Sequence, residues 1–254
     1  MLDIAVVSIT AFAAGFIDSI AGGGGLIQVP MLLITFPNLP VATLLGTNKL
    51  ASTLGTLVAA IRYQQRLRFN YRTLIMPILV TFGCALLGTQ SVVFLHDDYV
   101  RPLIIILLGL VWVYTFIKKD FGKYASIHEA STIPNTQYLL LIVGIIGFYD
   151  GFLGPGTGSF LMFAMVLILG MNLLQSVGLA KIINLTANCA ALLLFLLHQH
   201  VIFKIGLPMM VCNVLGNYIG SSLAIKKGQQ FIRTFFLIVV FAILSKLLWD
   251  MMWS

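Results

Sequence analysis

The sequence predicts an all-α membrane protein, a polytopic helical bundle of about eight to ten hydrophobic segments built from two repeats. Three observations predict this fold class. Of the 254 residues, 59% are hydrophobic and only 9% are charged, whereas soluble domains carry about 25% charged residues. The mean hydropathy is +1.02. The apolar residues also fall in long runs, and a membrane-spanning helix needs about 20 of them. A soluble single domain is therefore excluded.

The hydrophobic segments divide into five in each half of the chain, separated by a polar linker. They are 4–20, 26–36, 41–63, 74–95 and 99–117, followed by 138–153, 158–170, 173–197, 205–225 and 231–250. The expected organisation is therefore a first transmembrane repeat at 1–117, a linker at 118–137 and a second transmembrane repeat at 138–254.

The two halves match each other at a constant offset of 132 residues. Asp18 and Lys49 correspond to Asp150 and Lys181, and five pairs of glycines follow the same offset. Matching charged residues are informative in a chain that carries so few of them. The pattern predicts an internal repeat.

The basic residues indicate how the halves are oriented. Lys and Arg accumulate in cytoplasmic loops. If all five segments of each half cross, the odd number of crossings inverts the second half. Most basic residues then lie on one side of the membrane together with the linker 118–137, which is therefore cytoplasmic. If the short segments 26–36 and 158–170 turn back instead, the charge asymmetry is weaker. The pattern favours an inverted repeat in the cell inner membrane and leaves open whether these two segments cross or are re-entrant.

Four charged residues lie within apolar segments or at breaks between them: Asp18, Lys49, Asp150 and Lys181. Each costs about 2.5 to 3.5 kcal/mol at bilayer depth, so such residues face an interior cavity or pair with one another. Two interpretations remain, namely two structural salt bridges or a site in which a lysine is accessible to an anion. A buried ion pair is a costly way to gain stability, which favours the second.

A glycine-rich break follows each of the two aspartates. The sequences are GGGG at 22–25 and GPGTGS at 154–159. Non-helical backbone at membrane depth requires protein or a watery cavity around it. The helix after each break presents N–H groups and a positive dipole end, which favour an anion. The candidate binding residues of the breaks are Gly24, Gly25, Gly156, Thr157, Gly158 and Ser159.

Asparagines accompany both lysines. Asn48 precedes Lys49, and Asn184 follows Lys181 by three residues, which places it on the same helical face. We predict that both asparagines contribute to substrate binding. Ser52 and Thr56 are explained as well by hydrogen bonds between helices.

The other features are interpreted structurally. Gly83, Gly88, Gly216 and Gly220 form small-residue patches for close helix packing, and a homodimer interface is the alternative. The net charge of +7 reflects orientation in the membrane, so no nucleic-acid partner is expected. The expected partners are a small anion and membrane lipid. No Cys/His spacing suits a metal, and no cofactor is predicted.

The motifs resemble those of a known family. They are AGFIDSIAGGGG at 14–25, TNK at 47–49 and GFYDGFLGPGTGS at 147–159. They are similar to signatures of the sulfite exporter TauE/SafE family of bacterial and plant membrane transporters, with the nearest likeness to its YfcA-like branch. The resemblance covers 15–246 and implies movement of small sulfur-containing or organic anions, such as sulfite, thiosulfate, sulfoacetate or sulfolactate. It implies no particular substrate or coupling ion.

The predicted function is therefore secondary transport of a small anion by alternating access. The lysines, asparagines and helix ends would bind the anion, and Asp18 and Asp150 would neutralise the lysines in the empty site. Whether one aspartate also carries a coupled proton stays open. An anion channel is the alternative, and an intramembrane enzyme is less favoured because no Ser/His pair lies at membrane depth. The anion, the direction of transport and the oligomeric state are also left open.

Overall fold

The computed structural model describes residues 2–95, 100, 102–103 and 136–253. Across these residues the chain forms eight helices and no strand, which confirms the predicted all-α class. The helices are α1 (Leu2–Ala21), α2 (Gly25–Thr35), α3 (Val41–Leu67), α4 (Tyr71–Phe94), α5 (Thr136–Phe152), α6 (Thr157–Leu167), α7 (Leu173–Leu197) and α8 (Phe203–Trp253).

Helices α1, α3, α4 and α7 are long and apolar enough to cross a membrane. Helices α2, α5 and α6 are shorter and also apolar. Large apolar side chains lie on the outer surface, among them Leu79 and Leu141, each 60% exposed. A surface of this kind suits lipid rather than water. The molecule is an integral membrane protein.

The helices follow the predicted segments closely. Helix α7 begins and ends where the segment 173–197 does, and the short segments 26–36 and 158–170 correspond to α2 and α6, each of 11 residues. Segments 205–225 and 231–250 are joined in α8, which is interrupted at Gly228 with φ 72°. Segment 99–117 and the linker 118–137 lie largely outside the described residues.

The helices differ in whether a side chain caps their first turn. Asn70 and Asn172 cap α4 and α7, because their side chains accept hydrogen bonds from the N–H groups of Arg72 and Gln175. The cap positions of α2 and α6 are Gly24 and Gly156, and neither makes a side-chain cap. The first turns of α2 and α6 therefore lack a capping side chain, and some of their N–H groups donate to backbone carbonyls instead, such as Leu26 N–H to Gly23 O and Ser159 N–H to Gly22 O.

The packing joins helices from opposite ends of the chain. Helix α1 packs along α8, α5 packs along α4, and α3 and α7 pack against each other. Glycines permit the close approach, since a Cβ at Gly216 would collide with Phe12 O and one at Gly151 with Ala85 O. Of the predicted small-residue patches, Gly88, Gly216 and Gly220 pack inside the chain, while a Cβ at Gly83 would have none of the described residues within 4 Å. The homodimer stays a prediction.

Candidate functional site

A small cavity lies where the two helix breaks meet α3 and α7. Its volume is about 30 Å³, enough for about two water molecules. Every residue that lines it is a glycine, an amide, a hydroxyl or a charged residue, and no apolar side chain takes part. Such a lining in a chain this hydrophobic indicates a site for a polar ligand. Among the described residues, no three His, Cys, Asp or Glu side chains come together as metal ligands would.

Ten of the twelve predicted site residues line this cavity. They are Asp18, Gly24, Gly25, Asn48, Lys49, Asp150, Gly156, Thr157, Gly158 and Asn184. Lys181 is 1% exposed and lies behind the lining. Ser159 is also outside it, because its hydroxyl donates to Ala21 O at 2.8 Å and its N–H donates to Gly22 O at 3.0 Å. Ser159 therefore connects α6 to the end of α1.

The four predicted charged residues, of which Asp18 is partly exposed and the other three are buried, form two ion pairs that cross between the halves of the chain. Lys49 Nζ of α3 lies 2.9 Å from Asp150 Oδ1 of α5. Lys181 Nζ of α7 lies 2.7 Å from Asp18 Oδ2 of α1. Each lysine is thus neutralised by the aspartate of the other half, so the two pairs also hold the halves together.

The pair at Asp150 is more extensively hydrogen-bonded than its counterpart. Lys49 Nζ also donates to Asn188 Oδ1 at 2.8 Å, and Asp150 Oδ1 also accepts from Thr157 Oγ1 at 2.9 Å. The exposed fraction of the side chain is 1% for Asp150 and 15% for Asp18. The two pairs are therefore related by sequence but differ in environment, and only the first presents its lysine to the cavity.

The glycine breaks pack directly against each other. Gly22, Gly154 and Gly156 have φ of 78°, 88° and 84°, a left-handed conformation that glycine adopts without steric cost. A Cβ at Gly158 would lie 2.6 Å from the Cα atom of Gly22. The backbone contact brings the N-terminal ends of α2 and α6 to one cavity, where their positive dipole ends favour an anion.

The contact between the breaks makes a testable prediction for Gly22→Ala. The new methyl group would collide with the backbone of Gly158. The alanine would also have to adopt the positive φ of Gly22, which is strained for any residue with a Cβ. We expect the free energy of unfolding to fall by about 2 to 6 kcal/mol, measured by thermal unfolding in detergent. The matched control is Gly170→Ala, because Gly170 has φ 65° but nothing within 4 Å. An equal loss in both variants would show that the contact between the breaks is unimportant.

Several lining residues were not among the predicted site residues. Ser52 and Thr56 line the cavity, as does Asn188, which donates to Asn184 Oδ1 at 2.9 Å. Gln28 and Asn213 line it as well. The sequence marks Gln28 and Asn213 only as amide side chains within apolar helices. Neither has an amide at the corresponding position of the other half.

Comparisons with known proteins agree with one another. A family model described as "Sulfite exporter TauE/SafE" matches residues 7–247. The chain is 35% identical over 253 residues to a "Probable membrane transporter protein" of Haemophilus influenzae, which covers 98% of this chain and 96% of that protein. It is 36% identical over 245 residues to the "Probable membrane transporter protein YfcA" of Escherichia coli, which covers 96% of this chain and 89% of that protein. No solved structure matches the chain.

Proposed function

The chain belongs to the sulfite exporter TauE/SafE family, and from that premise we propose that it moves a small anion across the cell inner membrane as a secondary transporter. The family and the relatives' names describe membrane transporters, so the chain is a membrane transporter and not an enzyme. The proposed substrate is a sulfur-containing or organic anion of the sulfite and sulfonate class, and the family's description names sulfite. The observation that carries the proposal is Lys49, a buried cation in a cavity lined by glycines and by polar or charged residues.

Lys49 and the two helix ends would hold the negative charge of the substrate. Asn48 and Asn184 would add hydrogen bonds from neutral groups, since both line the same cavity. Its volume of about 30 Å³ accommodates about two water molecules and is too small for a multi-atom anion beside the intact ion pair. Substrate binding would therefore separate Lys49 from Asp150 and widen the cavity.

The proposed transport mechanism is alternating access by two inverted repeats, with the linker 118–137 in the cytoplasm. Transporters of this kind place their substrate between the repeats, at broken helices in corresponding positions. The two breaks at one cavity and the two ion pairs between halves support this proposal. Movement of one half relative to the other would break and re-form contacts at these pairs.

Charge balance gives Asp150 a role in coupling. Lys49 neutralises Asp150 in the described structure, so an anion that takes over Lys49 would leave a buried carboxylate unpaired. Such a charge is costly at low dielectric. Asp150 Oδ2 is buried and has no hydrogen-bond partner in the described part of the chain, and a proton there would restore neutrality. We therefore propose that transport of the anion is coupled to one proton.

Uptake by proteoliposomes tests the proposed function. Purified protein would be reconstituted and supplied with ³⁵S-labelled sulfite, thiosulfate or sulfoacetate. We expect uptake that saturates with concentration, and faster entry of label when the vesicles are preloaded with the same unlabelled anion. A flux that rises linearly and shows no counterflow would contradict a transporter and indicate an anion channel.

A further inference from the structure

The side chain of Gln28 lines the cavity but is not one of the residues that recur at the offset of 132. Gln28 lies on α2, three residues after the helix begins at Gly25, and is 2% exposed. Its Nε2 atom is buried and has no hydrogen-bond acceptor among the residues that the structure describes. An unsatisfied buried donor is costly, so its presence requires an explanation.

The neighbouring helix fixes which way the Gln28 amide points. Asn213 Nδ2 of α8 donates to Gln28 Oε1 at 3.1 Å and to Ala11 O at 3.2 Å. Asn213 Oδ1 in turn accepts from Asn217 Nδ2 at 2.9 Å. Because Asn213 offers a donor to Gln28, rotating the Gln28 amide would place two donors against each other. The amide oxygen therefore faces α8 and the amide nitrogen is left for the cavity.

Close packing keeps this pair of asparagines in place. A Cβ at Gly55 of α3 would collide with Asn213 Oδ1, and one at Gly15 of α1 would collide with Asn213 O. Asn213 and Asn217 are 2% and 0% exposed. Gly55 and Gly15 thus leave just enough room for Asn213, which keeps its amide in place. Because Asn213 donates to Gln28 Oε1, the orientation of the Gln28 amide is restricted as well.

The arrangement occurs on one side of the cavity only. At the offset of 132 residues, Gln28 corresponds to Phe160, and Asn213 and Asn217 correspond to Thr81 and Ala85. The second half thus has no amide donor at the equivalent position. A glutamine that served packing alone would have its donor satisfied by the protein, as the amide of Gln64 is by Phe69 O at 2.9 Å.

We infer that Gln28 determines specificity by donating a hydrogen bond to an oxygen atom of the bound anion, which favours oxyanions over halides. The inference rests on the proposed function, since it concerns the same cavity. Lys49 and the helix ends attract any anion, whereas a fixed N–H group strengthens binding only when an acceptor lies in its direction. An oxyanion can meet Lys49 and Gln28 with different oxygen atoms, and a halide has a single centre.

Thermal-shift titrations of Gln28→Met and Gln28→Glu test the inference. The anions are sulfite, thiosulfate, sulfoacetate and sulfate, compared with chloride and bromide. For the oxyanion that binds most tightly, we expect Gln28→Met to weaken Kd by about 10- to 100-fold, as for loss of a hydrogen bond to a charged group. Halide binding should stay unchanged. Gln28→Glu keeps an oxygen for Asn213 but directs another at the anion, so it should abolish oxyanion binding.

Gln175→Met is the matched control. Gln175 is half-buried and also has an unpartnered amide atom, Oε1, but it lies outside the cavity lining. Its variant should bind oxyanions as the wild type does. Unchanged oxyanion binding in Gln28→Met, or equal weakening for halides, would overturn the inference and leave the proposed function standing. A wild type that no anion stabilises would overturn both.

Discussion

Lys49→Met is expected to raise the KM for anion uptake by at least about 100-fold, because it removes the buried charge that the substrate would contact. Methionine retains most of the volume of lysine, so the change is mainly one of charge. Lys181→Met is expected to leave KM almost unchanged and to lower the maximal rate or the stability instead. The two lysines are equivalent in sequence, but only Lys49 lines the cavity.

Initial uptake rates over a range of substrate concentrations separate these effects. Each variant would be reconstituted at equal protein content, and Lys204→Met would serve as the control because Lys204 is exposed at the start of α8. A Lys49→Met variant with the KM of the wild type would refute binding at this cavity. Equal KM changes in the two lysine variants would contradict the asymmetry of the site.

The helices and most residues of the candidate site could be predicted because their signals are local. An apolar run of helical length predicts a span whatever it contacts, and a glycine-rich break beside an aspartate marks its own position. Ten predicted residues accordingly lie at one cavity. The partners of the charges could not be predicted in the same way. Pairing Lys49 with Asp18 or with Asp150 satisfies the repeat equally well, and only tertiary packing selects Asp150.

Residues that line the cavity without a matching residue in the other half could not be predicted from the repeat. Gln28 and Asn213 have no amide counterpart at the offset of 132 residues, where Phe160 and Thr81 stand instead, so the repeat gives them no weight. Lys181 shows the opposite case, since duplication predicts a substrate-binding residue that lies outside the cavity lining and pairs with Asp18. Residues that correspond at the offset of 132 can differ in solvent access, because access depends on packing that the sequence pattern does not record.

Removing one partner of an ion pair is expected to destabilise the protein far more than removing both. In Lys49→Met, Asp150 is left 1% exposed without its cation, and breaking a buried pair in this way costs about 3 to 5 kcal/mol. The double variant Lys49→Met/Asp150→Leu contains no buried charge at this position. We expect it to recover most of the lost stability in thermal unfolding, short of the hydrogen bond that Asn188 Oδ1 accepts from Lys49.

The double variants distinguish a structural connection from a transport site. If the pair of Lys49 and Asp150 only held helices together, a stable Lys49→Met/Asp150→Leu variant would transport normally. We expect it to be folded and inactive, because the substrate has lost its cation. The corresponding variant Lys181→Met/Asp18→Leu should recover stability and retain measurable uptake, because it leaves the cation Lys49 in place, although Asp18 also lines the cavity. Transport by the first double variant would show that its ion pair is structural, and the proposed site would then have to be abandoned.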